Sequence, residues 1–377
     1  MDIIPISADS HITEPPECYI DNIDPKFRDR APHLKRDEKR GDVYIIPGMD
    51  DRPVPMGLVA AAGKEPSTLR VGGSHFEDLY RSGWDPKFRL ADQDKDGVGA
   101  EILYATVGML ICNHPDIDYR QACMEAYNRW LQGYCAEAPE RLIGMGQAAI
   151  RNPADGIKEL QAIKQMGFAG VMMSGQPGEA DYDDPIYDPL WAAAVEMELP
   201  LAFHILTSQQ DGFKTRGPKI NAFQSIIRGC QDIMGMLIFS GVFERHPGLK
   251  VCCVEADAGW APHYMYRMDH AYKRHRYWLK GQELQRLPSE YFAENIWLTF
   301  QDDWSAFKVK DLMNVRRLMW ANDFPHSDAT WPWSQELLEE HTKELSEVEK
   351  RWILRDNCAE LFGLPTVAEM AKATAAH

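Results

Sequence analysis

What this chain has little of narrows its function before any motif is considered. Only eight cysteines occur in 377 residues, and no two stand in a C-x-x-C pair. A disulfide scaffold and a cysteine zinc site are both excluded on that count. Cys252 and Cys253 lie side by side in an apolar run, where they read as small buried hydrophobes. Basic residues are in deficit: 41 Lys and Arg against 57 Asp and Glu leave a net charge of −16. Such a surface repels phosphate, so neither nucleic acid nor an anionic membrane is expected as a partner. No apolar run approaches the roughly 18 residues of a membrane span. The opening MDIIPISADSH has neither the basic head nor the long apolar stretch of a signal peptide. The expectation is therefore a reduced, cytoplasmic protein. A nucleophile elbow G-x-S-x-G is missing, and the glycines of residues 170–178 (GVMMSGQPG) match no phosphate-binding fingerprint.

What is present is an ordinary globular composition, 45% hydrophobic and 26% charged, with 11 Trp to build packed surfaces. Eight short apolar runs punctuate the chain at 3–8, 100–105, 142–147, 168–173, 199–205, 249–255, 295–300 and 317–321. They do not alternate with polar residues, as suits strands buried on both faces of a parallel sheet. Between them, residues 119–138, 153–166, 189–197 and 225–241 carry apolar side chains at helical spacing. Strand then helix, repeated about eight times, predicts a (β/α)8 TIM barrel, with a doubly wound open sheet as the alternative. One domain covering 1–377 is expected. It carries an insertion at about 32–73, read as a small hairpin over one end, and a C-terminal helical extension. That extension opens on the capping box Ser346 to Glu349, runs through Leu361 and stops at Gly363 and Pro365. The last dozen residues, rich in Ala, read as a frayed tail.

In a barrel the chemistry lies at the carboxyl ends of strands. The first run ends in Asp9-Ser10-His11, an i, i+2 pair whose side chains share one strand face and could hold a divalent cation. Alone, it reads more simply as a capping Asp beside a partly exposed His. The fifth run carries His204, by itself more simply a satisfied core histidine, and the eighth is followed by Asp323, which could merely start a turn. Together they bring acidic or imidazole groups to the ends of strands one, five and eight.

The segments ADSHITEP (8–15), LAFHI (201–205), the stretch 241–269 containing VCCVEADAGWAPH, ANDFPHSDATWP (321–332) and ILRDNCAELFGL (353–364) span the chain in order. On these the sequence resembles the amidohydrolase superfamily. Within it, the resemblance is to the branch of barrel hydrolases and decarboxylases similar to aminocarboxymuconate-semialdehyde decarboxylase. The resemblance implies one divalent metal held by Asp9, His11, His204 and Asp323, with zinc ahead of manganese or iron. It also implies self-association into a homo-oligomer. Two departures stand out. The first ligand position, often histidine, is Asp9, as in members that look like aromatic acid decarboxylases. After the sixth strand, where much of the group has a histidine, this chain has Val254-Glu255-Ala256-Asp257. Glu255 or Asp257 could take a polar catalytic role there, or Glu255 could equally be a structural carboxylate satisfied by backbone donors, Arg245 or Arg267. Glu14 could contact a ligand imidazole or the substrate, or simply sit at a helix start. His326, Trp331 and Trp333 could line the site from the eighth loop, or pack a rigid loop.

The leading expectation is a metal-dependent hydrolase of a small, perhaps aromatic, carbonyl compound, using a metal-activated water. Asp323 would move the proton, and His326 or Glu255 would orient the carbonyl. The alternative is a non-oxidative decarboxylase of an aromatic or unsaturated acid on the same residues. The acidic Asp9 leans towards it and the replaced sixth-strand histidine leans away. A catalytically silent barrel serving as a binding subunit is the third reading.

Overall fold

The computed structural model describes residues 3–49, 53–208 and 217–364. Its first strand, β1 (Ile6–His11), is buried along its whole length. Next come β2 (His33–Asp37), β3 (Gly41–Ile45) and β4 (Val54–Pro55), then β5 (Ala100–Tyr104), β6 (Leu142–Ala148), β7 (Gly170–Met173) and β8 (Leu201–His204). The last three are β9 (Val251–Val254), β10 (Ile296–Phe300) and β11 (Leu318–Trp320).

Eight of these strands form one sheet in the order β1-β5-β6-β7-β8-β9-β10-β11, with every neighbouring pair parallel. Just past β11 the ring is drawn together by main-chain bonds. The N–H of Asp323 donates to the Asp9 carbonyl (3.0 Å) and that of His11 to the Phe324 carbonyl (2.8 Å). The architecture is the (β/α)8 barrel, and each of the eight apolar runs overlaps a barrel strand. Each of these strands is buried throughout because helices cover its outer face and the barrel core its inner face.

The four helical patterns correspond to helices Ile117–Cys135, Pro153–Gln165, Asp188–Glu196 and Arg228–Phe239. Their starts follow local chemistry. Asn152, for example, accepts the Asp155 N–H in front of Pro153, the residue type best suited to a first helical turn. The extension begins with the expected Ser346–Glu349 capping box and ends at Gly363 in the left-handed conformation (φ 64°). Between those ends it is not one regular helix: Trp352–Asp356 widens to π-helical turns. Pro365 and the Ala-rich tail lie outside the described residues. No helix among the described residues is long and apolar enough to cross a membrane. All eight cysteines are buried and free.

The insertion is a three-stranded antiparallel sheet, β2-β3-β4, rather than a simple hairpin. Its turn closes at Gly41 (φ 76°), where a Cβ would meet the backbone of Ser74 at 2.3 Å. The following segment docks on the loop after β11. Ala61 and Ala62 N–H groups donate to the Pro325 carbonyl, and the Ser327 N–H donates to that of Leu58.

Candidate metal centre

Four barrel strands bring their carboxyl ends to one point. Asp9 and His11 share a face of β1, His204 closes β8, Glu255 follows β9 and Asp323 lies three residues after Trp320 of β11. Glu255 and Asp323 both adopt positive φ (56° and 51°), a strained conformation for residues with a Cβ, costing on the order of 1–3 kcal/mol each. That turn of the backbone aims the carboxylates inward instead of letting them alternate as a strand would.

The imidazoles are oriented from behind. His11 Nδ1–H donates to the Ala105 carbonyl (3.2 Å) and His204 Nδ1–H to that of Ile205 (3.0 Å). This leaves both Nε2 atoms to face each other, 3.2 Å apart. Two bare lone pairs do not rest at that distance unless something positive lies between them. Around them, Glu255 Oε2 is 3.1 Å from His204 Nε2 and 3.3 Å from His11 Nε2. Asp9 Oδ1 is 3.5 Å and 3.4 Å from the same two atoms, and Asp323 Oδ1 is 3.5 Å from His11 Nε2. Donors each about 2.1 Å from a common cation stand roughly 3.0–3.4 Å apart, so the spacing fits a shared ion. Both oxygens of Asp9, both of Asp323 and Oε2 of Glu255 are buried without a hydrogen-bond partner. Unpartnered buried carboxylate oxygens are costly, and a divalent cation would satisfy them.

Electrostatics point the same way. Burial opposes charge on the His204 ring, yet Asp9 and Glu255 hold its proton and raise it to about 10. His11 is raised as well: burial opposes this, and hydrogen bonding to Asp9 and Glu255 prevails. Burial pushes the carboxyls of Asp9 and Glu255 up, but the two imidazoles outweigh it and both lie low. Asp323, with burial and then Glu255 and Asp9 acting on it, is pushed well above the carboxylate range. In the absence of a cation, protons on the imidazoles and on Asp323 offset the concentrated negative charge.

The structure thus brings Asp9, His11, His204, Glu255 and Asp323 together. His326 joins them at the edge. Its ring stacks on His11 (centroids 3.9 Å, 22°), and its Nδ1 lies 3.1 Å from Asp323 Oδ1. Burial and the neighbouring His11 hold its imidazole well below the usual value. Candidate donor groups are Asp9, His11, His204 and Glu255, and also His11, Glu255, Asp323 and His326. Glu255 therefore stands among the possible ligands, a position that the sequence reading did not assign. Neither Arg245 nor Arg267 satisfies it; Arg245 pairs instead with Asp188 at 2.9 Å. The available signal was its place at the end of the sixth barrel strand.

The remaining expected site residues lie elsewhere. Glu14 is buried and accepts the N–H groups of Thr106, Val107 and Gly108, plus the Tyr19 hydroxyl. It ties the β1 and β5 ends together and has no hydrogen bond to a cluster imidazole. Trp331 is buried against Phe324 and Tyr80, donates its indole N–H to the Asp92 carbonyl and carries Lys95 over its ring. Trp333 is 55% exposed. For Trp331 the loop-packing reading describes the observed position, and Trp333 stands largely in solvent.

Behind the cluster, fully buried Arg89 donates to Glu101 (2.5 Å), to the His11 carbonyl (2.7 Å) and to the Phe324 carbonyl (3.0 Å). One side chain thereby clamps the two main-chain segments that carry His11 and Asp323. Sequence reasoning missed it, since a lone Arg on a helix reads as solvated.

A TIM barrel with a carboxylate–imidazole cluster at its strand ends defines a metal-dependent barrel enzyme. The amidohydrolase family model (Amidohydro_2) matches residues 9–364, and the chain belongs to that family. It is an enzyme, a metal-dependent hydrolase or carboxy-lyase. It is 25% identical over 301 residues to 2-amino-3-carboxymuconate-6-semialdehyde decarboxylase of Dictyostelium discoideum, covering 78% of this chain and 81% of that protein. It is also 25% identical over 264 residues to gamma-resorcylate decarboxylase of Rhodococcus jostii, covering 61% and 73%. Among solved structures, an amidohydrolase from Mycobacterium avium subsp. paratuberculosis superposes with a TM-score of 0.79 at 20% identity, covering 98% of this chain and 100% of that one. A 5-carboxyvanillate decarboxylase from Novosphingobium aromaticivorans, crystallised with manganese, gives 0.63 at 22% identity, covering 73% and 79%. The two curated relatives, both named as decarboxylases, favour the decarboxylase alternative over the hydrolase that the sequence reading put first.

Proposed function

We propose that the protein is a non-oxidative, metal-dependent decarboxylase of an aromatic or unsaturated carboxylic acid. The observation that carries this reading is its relationship to curated relatives named as decarboxylases, across most of each relative's length. The cluster supplies the parts. Asp9, His11 and His204 would hold a divalent cation, with Glu255 and Asp323 as further donors. Three carboxylates beside two imidazoles make an oxygen-rich set that suits manganese at least as well as zinc. When bound, the cation supplies positive charge that fixes the substrate's carboxylate and a neighbouring oxygen.

The protein's own groups handle the proton. Asp323 delivers one to the carbon bearing the carboxylate, forming a C–H bond. The C–C bond then breaks, its electron pair returns to the ring or alkene, and carbon dioxide leaves. His326, with Nδ1 at 3.1 Å from Asp323 Oδ1, accepts the hydrogen bond of the Asp323 acid and so aims it, and water returns the Asp323 proton once carbon dioxide has left. The buried walls around Asp9, His11 and Asp323 keep bulk water from the reacting carbon.

Hydrolysis of a carbonyl compound is the second reading, favoured by one feature. Glu255 adds a negative charge where much of the group has a neutral imidazole, and this weighs against an anionic substrate. The test is carbon dioxide release from manganese-loaded protein. Its panel contains 2,6-dihydroxybenzoate and 5-carboxyvanillate, acids named for structural neighbours, with ester and lactone hydrolysis followed in parallel. Carbon dioxide release abolished by Asp323→Asn supports the proposal; hydrolysis without it supports the second reading.

A further inference from the structure

His326 is held on two sides, and one of them specifies where its proton is. Thr106, after β5, is 4% exposed. Its hydroxyl donates to the Ile12 carbonyl at 2.6 Å and also lies 2.9 Å from His326 Nε2. A hydroxyl has one proton, and here it is committed to Ile12. Towards His326 the Thr106 oxygen can therefore only accept. The accepted proton is the one on Nε2, so the neutral ring has none on Nδ1, and Nδ1 is the atom 3.1 Å from Asp323 Oδ1. The Thr106 main chain is fixed as well, since its N–H donates to buried Glu14 (3.1 Å). Stacking on His11 sets the plane of the ring, but stacking alone is indifferent to a flip that exchanges the two nitrogens.

We propose that Thr106 is a positioning residue that locks His326 as its Nε2–H tautomer, so that the Nδ1 lone pair is the group presented to Asp323. Neutral His326 then meets Asp323 only as a hydrogen-bond acceptor, at Nδ1. It cannot turn an N–H towards the cluster without breaking its bond to Thr106. The catalytic consequence rests on the decarboxylase reading; the tautomer does not.

The experiment uses zinc-loaded, full-length protein with ¹⁵N-labelled histidine, and imidazole nitrogen spectra of wild type, Thr106→Val and Thr106→Ser. The His326 signals are identified by their loss in His326→Gln. The expected result is a protonated Nε2 and a bare Nδ1 in wild type and Thr106→Ser, with that pattern lost in Thr106→Val. A wild-type His326 protonated at Nδ1, or a Thr106→Val spectrum unchanged at His326, would overturn the proposal. In the carbon dioxide assay, kcat of Thr106→Val should fall about 10- to 100-fold with KM little changed, and Thr106→Ser should recover it. Equal kcat in wild type and Thr106→Val overturns the catalytic half. Absence of carbon dioxide from the wild type, with the tautomer pattern intact, counts against the decarboxylase reading and leaves the Thr106 assignment standing.

Discussion

The Glu255 carboxylate lies 3.1 Å from His204 Nε2, closer than any other carboxylate of the cluster approaches either ligand imidazole. At that distance it shares whatever positive charge the histidines share. Glu255→Ala should therefore weaken divalent metal binding by at least about tenfold, and Glu255→Gln by less, because it keeps one neutral oxygen donor. Competition with a chromogenic chelator measures both. Wild-type affinity in Glu255→Ala would remove Glu255 from the donor set.

Chelation should destabilise the protein. A cation that binds only the folded state adds about 4 kcal/mol at a free concentration of 1,000 Kd. Its removal also leaves protons on His11, His204 and Asp323 to offset the buried negative charge. The melting temperature should fall on chelation and recover on adding manganese or zinc. An Asp9→Asn, Asp323→Asn double variant should show no such response.

Arg89 is a separable contribution to stability. Arg89→Met leaves Glu101 as a buried charge paired only with neutral donors such as Gln93 and Ser10, a loss of about 3–5 kcal/mol. It also releases the His11 and Phe324 carbonyls. Urea denaturation should show the loss, and metal affinity should drop with it although Arg89 touches no metal donor side chain. A double variant that also replaces Glu101 with Gln should recover part of the stability.

Much of this arrangement was legible beforehand, because the apolar runs mark strands and a strand's last residues occupy the catalytic rim of a barrel. Asp9, His11, His204 and Asp323 each follow from that rule plus the family pattern. Glu255 was ambiguous for a local reason. Glu255 and Asp257 both have positive φ (56° and 57°), so strand alternation does not extend past Val254 and cannot say which acid faces in. For Trp331 the sequence left pocket and packing open, because aromatic content near a catalytic loop does not reveal a hydrogen bond to a distant helix carbonyl, here that of Asp92. The clamp by Arg89 depends on contacts across 235 residues, which no local pattern records.

Away from the cluster, Glu159 makes stability depend on pH. Burial raises its carboxyl from 4.5 to about 7, against hydrogen bonds from the Ile150 and Ala149 N–H groups. Between those values the folded protein keeps a proton that the unfolded chain has released, so this residue's contribution to stability declines as pH rises from about 4.5 to 7 and is level above. Glu159→Gln should lose that slope and be the more stable protein at pH 8, by up to about 3 kcal/mol. Parallel slopes for the two proteins in urea denaturation across this range would contradict it.

The central claim, a divalent cation held by Asp9, His11 and His204 with help from Glu255 and Asp323, has one direct test. Elemental analysis of protein purified without added metal, repeated after reconstitution with manganese and zinc, should find about one ion per chain in the wild type. His204→Ala and Asp323→Asn, folded by circular dichroism, should hold substantially less. No ion in the wild type, and none taken up on reconstitution, would contradict the account.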